Sequence, residues 1–283
     1  MARWGKISGT MKKLLTIALA LCAFASVHAD ICIKNGEKLA FLGDSITAYG
    51  NGPAGYLNLV MKGLEVAGVK AEKVAAGVGG NKSNNMLDRV DRDILRKNVQ
   101  WMTLSCGVND VWHGANGVEL EQYKKNISAI LDKCAASNVT VIVMTASMIG
   151  EDAANANNVK LEAYNAWLRE EAKRRNLRLA DINAAMQAEL ARVRETDKTP
   201  GNKLTKDGVH MGFAGDCMMA RCLLKAMGVE EAQMDAITAA WRKIPGAYTA
   251  WLPITVEDFE KIDAEEGTFD EALQRKFRKW MEE

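Results

Sequence analysis

The chain has 283 residues, with 37 lysines and arginines against 36 aspartates and glutamates, a formal net charge of +1. So even a balance leaves no electrostatic footprint for nucleic acid or an anionic membrane surface. There is no Cys-x-x-Cys pair and no His/Cys cluster at zinc spacing, which argues against a structural metal.

Lys12-Lys13 precede an apolar run from Leu14 to Val27, and Val27-His28-Ala29 has the small-residue pattern of a signal-peptidase site. Residues 1–29 are therefore expected to be an export signal, starting at Met1 or Met11. The run is too short to span a bilayer comfortably, so no membrane span is expected. Cys22 offers a lipoprotein alternative, which the bulky Leu21 before it disfavours. A secreted or periplasmic protein is the expectation. Without those 29 residues, 254 remain, with 33 basic and 36 acidic side chains, enough for one substantial core. Five cysteines stay with them (Cys32, Cys106, Cys134, Cys217 and Cys222), an odd number that leaves at least one thiol free.

Strand-length apolar runs then alternate with segments of helical period. Strands are predicted at Lys38–Gly43, Ala71–Ala76, Val99–Ser105, Val139–Thr145 and Leu177–Asp181. Helices are predicted near Gly55–Ala67, Asn84–Arg96, Leu120–Ala136, Val159–Arg175, Ile182–Val193 and Phe213–Met227. The run Val139–Met144 is apolar on both faces, as a central strand of a covered parallel sheet should be. Strict alternation points to a three-layer α/β/α, doubly wound parallel fold over residues 30–228. Arg194–Leu204 is polar, contains Pro200-Gly201 and reads as a surface loop. Residues 229–283 hold seven of the 18 aromatics. Capping-box patterns at Thr255 and Thr268 suggest a helical extension docked on the core.

Four short segments carry chemistry. Gly43-Asp44-Ser45 ends the first strand, which places a hydroxyl at the carboxyl edge of the sheet, where open α/β folds bind ligands. A serine needs a base, and after residue 29 the only histidines are His113 and His210. His210 has Asp207 three residues away, with Gly208 between them to let the loop turn. An acid so placed would fix the imidazole tautomer, although Asp-x-x-His alone fits an ordinary surface loop about as well. Gly77-Val78-Gly79-Gly80 and Gly107-Val108-Asn109-Asp110 follow the second and third strands and could supply oxyanion donors, or be plain turns. Asn81 and Lys82 stand where phosphate-binding and dinucleotide-binding loops need glycine, and Thr47 breaks a Gly-x-Ser-x-Gly elbow.

Together these segments resemble the SGNH hydrolases, also called the GDSL esterase/lipase family, in family order over about residues 38–228. The resemblance implies a flavodoxin-like sheet and a Ser-His-Asp mechanism without metal or cofactor. It makes Ser45 the nucleophile, His210 the base and Asp207 its orienting acid. The oxyanion hole would be the amides of Ser45 and Gly80 with the Asn109 side chain. One departure is Ala75, where the second block often has asparagine.

Val108–Trp112 is similar to members that act on carbohydrate esters, so the expected activity is hydrolysis of short-chain, chiefly acetyl, esters on saccharides. Asp44, Trp112 and His113 are candidate substrate contacts, against packing or rim roles for Trp112 and an exposed helix-start position for His113. A lipase, lysophospholipase or thioesterase on the same scaffold, or a glycan-binding protein without turnover, are the alternatives.

Overall fold

The computed structural model describes residues 31–244. The expected export signal and the patterns at Thr255 and Thr268 lie outside those residues.

Five strands, β1 (Lys38–Gly43), β2 (Glu72–Gly77), β3 (Trp101–Ser105), β4 (Thr140–Met144) and β5 (Arg178–Ala180), form one wholly parallel sheet in the order β2-β1-β3-β4-β5. Each central strand is buried after its first residue, whereas β2, on the edge, is mostly exposed. The helices are α1 (Ser45–Tyr49), α2 (Tyr56–Val66), α3 (Ser83–Asp93), α4 (Val108–Trp112), α5 (Leu120–Ala136), α6 (Ala156–Arg174), α7 (Ile182–Thr196), α8 (Phe213–Ala226) and α9 (Met234–Trp241). Helices α2, α8 and α7 neighbour one another in one layer; α3 and α5 pack together in the other, with α6 beside α5. The expected three-layer α/β fold is the one observed.

This strand order reverses direction between β1 and β3, and ligands in such sheets bind at the carboxyl ends beside that reversal. The chain places Ser45 just after β1 and Asn109 just after β3. The topology thus brings two of the four sequence segments to one rim before any side-chain contact is considered.

The differences from the sequence reading are local. The predicted helix 84–96 stops at Asp93 and gives way to a 3₁₀ turn, Leu95–Lys97, closed by Asn98 in the left-handed region (φ 53°). The one-turn helices α1 and α4 were not expected. Of the residues after 228, those described include α9, which packs on α2. Its Trp241 is fully enclosed, and the indole Nε1 donates to the Leu59 carbonyl at 2.8 Å. All five described cysteines are free thiols, with Cys106 and Cys134 buried. Among the described residues no helix is long and apolar enough to cross a membrane.

Candidate active site

The floor of the site is made by β1, β2 and β3 and the short elements that follow them. Asp44 caps α1: its Oδ1 accepts the Ile46 amide at 2.9 Å, which holds Ser45 at the first helical position. Thr47 Oγ1 meets the Tyr56 hydroxyl at 2.8 Å and ties α1 to α2. Helix α1 lies so close to β2 that a Cβ on Gly77 would come 2.2 Å from the Ala48 amide nitrogen, so only glycine fits the end of that strand. Gly80 has φ +70°, a left-handed turn that brings the 77–81 loop over the site without strain. A buried guanidinium fastens the floor from below. Arg89 of α3 donates to the Gly43 carbonyl (2.8 Å), the Ala76 carbonyl (2.9 Å) and Asn81 Oδ1 (2.7 Å), with Asp93 as its counter-charge at 3.1 Å.

Asn109 stands on α4 with every polar atom engaged. Its Nδ2 donates to Asp44 Oδ2 (3.2 Å) and to the Asn81 carbonyl (3.1 Å). Its Oδ1 can only accept, so His113 Nε2, 3.1 Å away, carries a proton and donates to it. The neighbouring Asp110 anchors α4 through the Ser83 amide (3.0 Å) and hydroxyl (2.6 Å), and Asn126 donates to that hydroxyl at 3.0 Å. Burial is the largest influence on both floor carboxyls. It pushes Asp44 up to about 6, and raises Asp110 in the same direction.

The second half of the site is the loop before α8. His210 Nδ1 lies 2.6 Å from Asp207 Oδ2, and His210 Nε2 lies 2.9 Å from Ser45 Oγ. A carboxylate accepts, so the proton sits on Nδ1 and leaves Nε2 to accept from the serine hydroxyl. Asp207 Oδ1 also takes the amides of Val209 (3.0 Å) and His210 (2.8 Å). Partial burial raises the Asp207 carboxyl, but these hydrogen bonds outweigh it and hold the group down at about 2. Tyr49 covers the imidazole from the α1 side, with ring centroids 4.9 Å apart and planes at 67°.

Nothing in the sequence marked what holds this loop. Glu151, in the connection between β4 and α6, is almost wholly buried. Its Oε1 accepts from the Leu204 amide, the Thr205 amide and the Thr205 hydroxyl, each at 2.8 Å, and its Oε2 accepts the Lys203 amide at 2.7 Å. Thr205 Oγ1 then accepts the Gly208 amide (3.1 Å), and Gly150 donates to the Gly208 carbonyl (2.6 Å). One carboxylate therefore sets the path of the chain into Asp207 and His210.

The structure brings Ser45, His210 and Asp207 into one hydrogen-bonded line, with Asn109 bonded to Asp44 and to the 77–81 loop that carries Gly80, and corrects one candidate substrate contact. Asp44 is 2 % exposed beneath the site, its two oxygens spent on the Ile46 amide and Asn109, so it positions rather than meets a ligand. His113 closes α4 and caps the 3₁₀ turn Gly114–Asn116 that follows, an exposed helix-start position as expected, with its Nε2 bonded to Asn109. Trp112 remains about half exposed at the rim. Among the described residues no group of three or more His, Cys, Asp or Glu side chains could hold a metal ion.

A parallel α/β fold with a serine–imidazole–carboxylate line at its switch point defines the class, a hydrolase of the acyl-transfer kind. Residues 41–216 match the GDSL-like Lipase/Acylhydrolase family, and the chain belongs to it. It is a carboxylic ester hydrolase. The acetylxylan esterase of Geobacillus stearothermophilus is 24% identical over 220 residues, covering 70% of this chain and 97% of that protein. Among solved structures, the acetyl xylan esterase AlAXEase is 31% identical, covers 67% of this chain and 98% of its own, and superposes with a TM-score of 0.62. Axe2, an acetylxylan esterase from Geobacillus stearothermophilus, is 25% identical, covers 70% and 97%, and also gives 0.62. Catalytic mutants of Axe2 have a serine, an aspartate or a histidine replaced by alanine, the last two three positions apart, as Asp207 and His210 are here.

Proposed function

We propose that the chain is an exported esterase that removes acetyl groups from carbohydrate. The observation that carries this reading is the continuous hydrogen-bonded line from Ser45 through His210 to Asp207, 2.9 and 2.6 Å in its two links. The acetyl and saccharide specificity draws its support from AlAXEase and Axe2.

Ser45 Oγ attacks the acetyl carbonyl carbon while His210 Nε2 takes its proton, and the imidazolium is held by ionised Asp207. The carbonyl oxygen becomes an oxyanion facing the Ser45 amide, the Gly80 amide and Asn109 Nδ2. Ser45 is the first residue of α1, so its amide has no partner within the helix. Asn109 meets the oxyanion by giving up the Asn81 carbonyl and keeping Asp44, whose ionised form makes the retained bond charge-assisted. The tetrahedral intermediate collapses as His210 returns its proton to the sugar oxygen, which leaves as an alcohol. Water, deprotonated by the same imidazole, then cleaves the acetyl-serine and releases acetate.

Acetate release from acetylated xylo-oligosaccharides, set beside a ladder of nitrophenyl esters of rising acyl length, tests the reading. Release of acetate with the rate falling beyond short acyl chains is expected. Rates rising steeply with acyl length would replace it with a lipase, and binding of saccharide without hydrolysis of any ester would replace it with a glycan-binding protein. Amino-terminal sequencing of the mature product checks export, with Asp30 expected as the first residue.

A further inference from the structure

The chemistry assigns opposite directions to the two halves of an ester. The carbonyl oxygen must point at Gly80 and Asn109, while the departing alcohol must lie within reach of His210 Nε2, which protonates it. Whatever recognises the alcohol therefore lies beyond His210, away from Trp112 and the oxyanion donors.

Next to His210, behind Tyr49 and Lys206 that touch it, lies a cleft of about 180 Å³ between the end of α1 and the start of α8, with Ile46, Tyr49, Lys206, Met211, Phe213 and Asp216 in its walls. Tyr49 follows Ser45 by four residues in α1, so the two share a helix face, roughly 6 Å apart along the axis. Its ring, already edge-on to His210, is two-thirds exposed. Across the cleft, Asp216 is fixed by the Tyr56 amide, which donates to its Oδ1 at 3.0 Å. Lys206, whose amide is pinned to the His210 carbonyl at 2.8 Å, brings an ammonium close enough to act on that carboxyl. Burial pushes Asp216 up to about 7, so near neutrality it can accept from or donate to a hydroxyl. The space is well below the roughly 300–1,000 Å³ of a pocket for a drug-sized ligand, and suits one ring rather than a chain.

We propose that this cleft is the alcohol-side subsite, which takes the single sugar ring that carries the ester. The ring lies against Tyr49, and its hydroxyls bond to Asp216 and Lys206. This rests on the saccharide reading above, and assigns the sugar to the Tyr49 side rather than to Trp112.

The test uses Tyr49→Ala, Tyr49→Phe, Lys206→Ala, Asp216→Asn and Trp112→Ala in the whole chain. Two readouts are needed: the ratio of kcat/KM on acetylated xylo-oligosaccharide to that on 4-nitrophenyl acetate, and inhibition of nitrophenyl acetate hydrolysis by deacetylated xylo-oligosaccharide. Tyr49→Ala is expected to lower the ratio about tenfold or more and to raise the inhibition constant in step, with Tyr49→Phe close to the original protein. Lys206→Ala and Asp216→Asn should each lower the ratio about three- to tenfold, mainly through KM. Lys206→Ala carries the polar test if Asp216→Asn, whose amide oxygen can still accept from Tyr56, fails to fold. Equal losses on both substrates with Tyr49→Ala would mean that Tyr49 acts only through His210 and would overturn the subsite. A larger drop in the ratio for Trp112→Ala would also overturn it. If the original protein releases no acetate from saccharide yet cleaves nitrophenyl acetate, the functional reading falls by itself. The inhibition series then decides the subsite: Tyr49-dependent inhibition upholds it, and none overturns it.

Discussion

The floor and the acid–base loop reach the same rim by different means. The floor is built on central parallel strands and closed by buried groups: Arg89 spans the ends of β1 and β2, and Asp110 locks α4 to Ser83. The loop is irregular backbone on the outside of the molecule, and its Asp207 side chain is half exposed. Its first half, residues 203–205, hangs on the carboxylate of Glu151, and short backbone ties close the rest. The oxyanion donors therefore owe their rigidity to the fold itself. The base owes its position to local backbone ties within the loop and to a clamp, Glu151, more than fifty places away in the chain.

Substitutions separate the two halves. The largest effect should come from the reacting pair. Ser45→Ala and His210→Ala are each expected to lower kcat by about 10⁴–10⁶, and the double variant should lose little more, because the two act as a unit. Additive losses in steady-state assays would break that picture. Asn109→Ala should cost about 10²–10³ in kcat without unfolding. His113→Ala should stay within about tenfold, since it orients the amide rather than replacing it; a loss as large as that of His210→Ala would reverse the choice of base.

Glu151→Gln is expected to reduce kcat roughly tenfold with KM little changed, because its amide nitrogen would face a backbone donor. Faster limited proteolysis within residues 197–206 should accompany it. If kcat stays unchanged, the clamp is not needed.

The smallest effect concerns Asp44 and stability. Its carboxyl titrates near 6 when folded and at about 4 when unfolded, so the folded chain binds the extra proton between those values. The associated stability is full below about pH 4 and is lost as pH rises through about 6. Asp44→Asn, which can still cap α1, should therefore raise the unfolding free energy at pH 8 more than at pH 4, by at most about 3 kcal/mol, read from denaturant melts at the two pH values. An equal shift at both pH values would remove burial as the cause.

Much of this was legible in the sequence, for reasons that differ by element. Strand β1 has the predicted bounds because an apolar run ends in glycine. Strand β2 runs one residue later than predicted because Gly77 makes a last rung with Gly43, a pairing that only the partner strand reveals. Five-residue helices such as α1 and α4 are too short to display a period, and they persist through tertiary ties, Thr47 to Tyr56 and Asp110 to Ser83. The reacting side chains were legible because each sits in a motif with its own turn chemistry. Arg89 and Glu151 were not: Arg89 has a local partner in Asp93, as any solvated helix-face arginine could, while its tie to Gly43 spans 46 positions and those of Glu151 span 52–54, and nothing local distinguishes a buried charge from a solvated one.

The indole of Trp241 fixes where the protein can be shortened. A truncation after Gly228, the border that the sequence motifs suggest, would remove α9, expose the apolar face of α2 that it covers and strip a donor from the Leu59 carbonyl. Losing the packing of one buried tryptophan costs about 3–5 kcal/mol, a large share of a typical domain's stability. Trimmed versions made for crystallisation or screening should therefore run at least through Ile244.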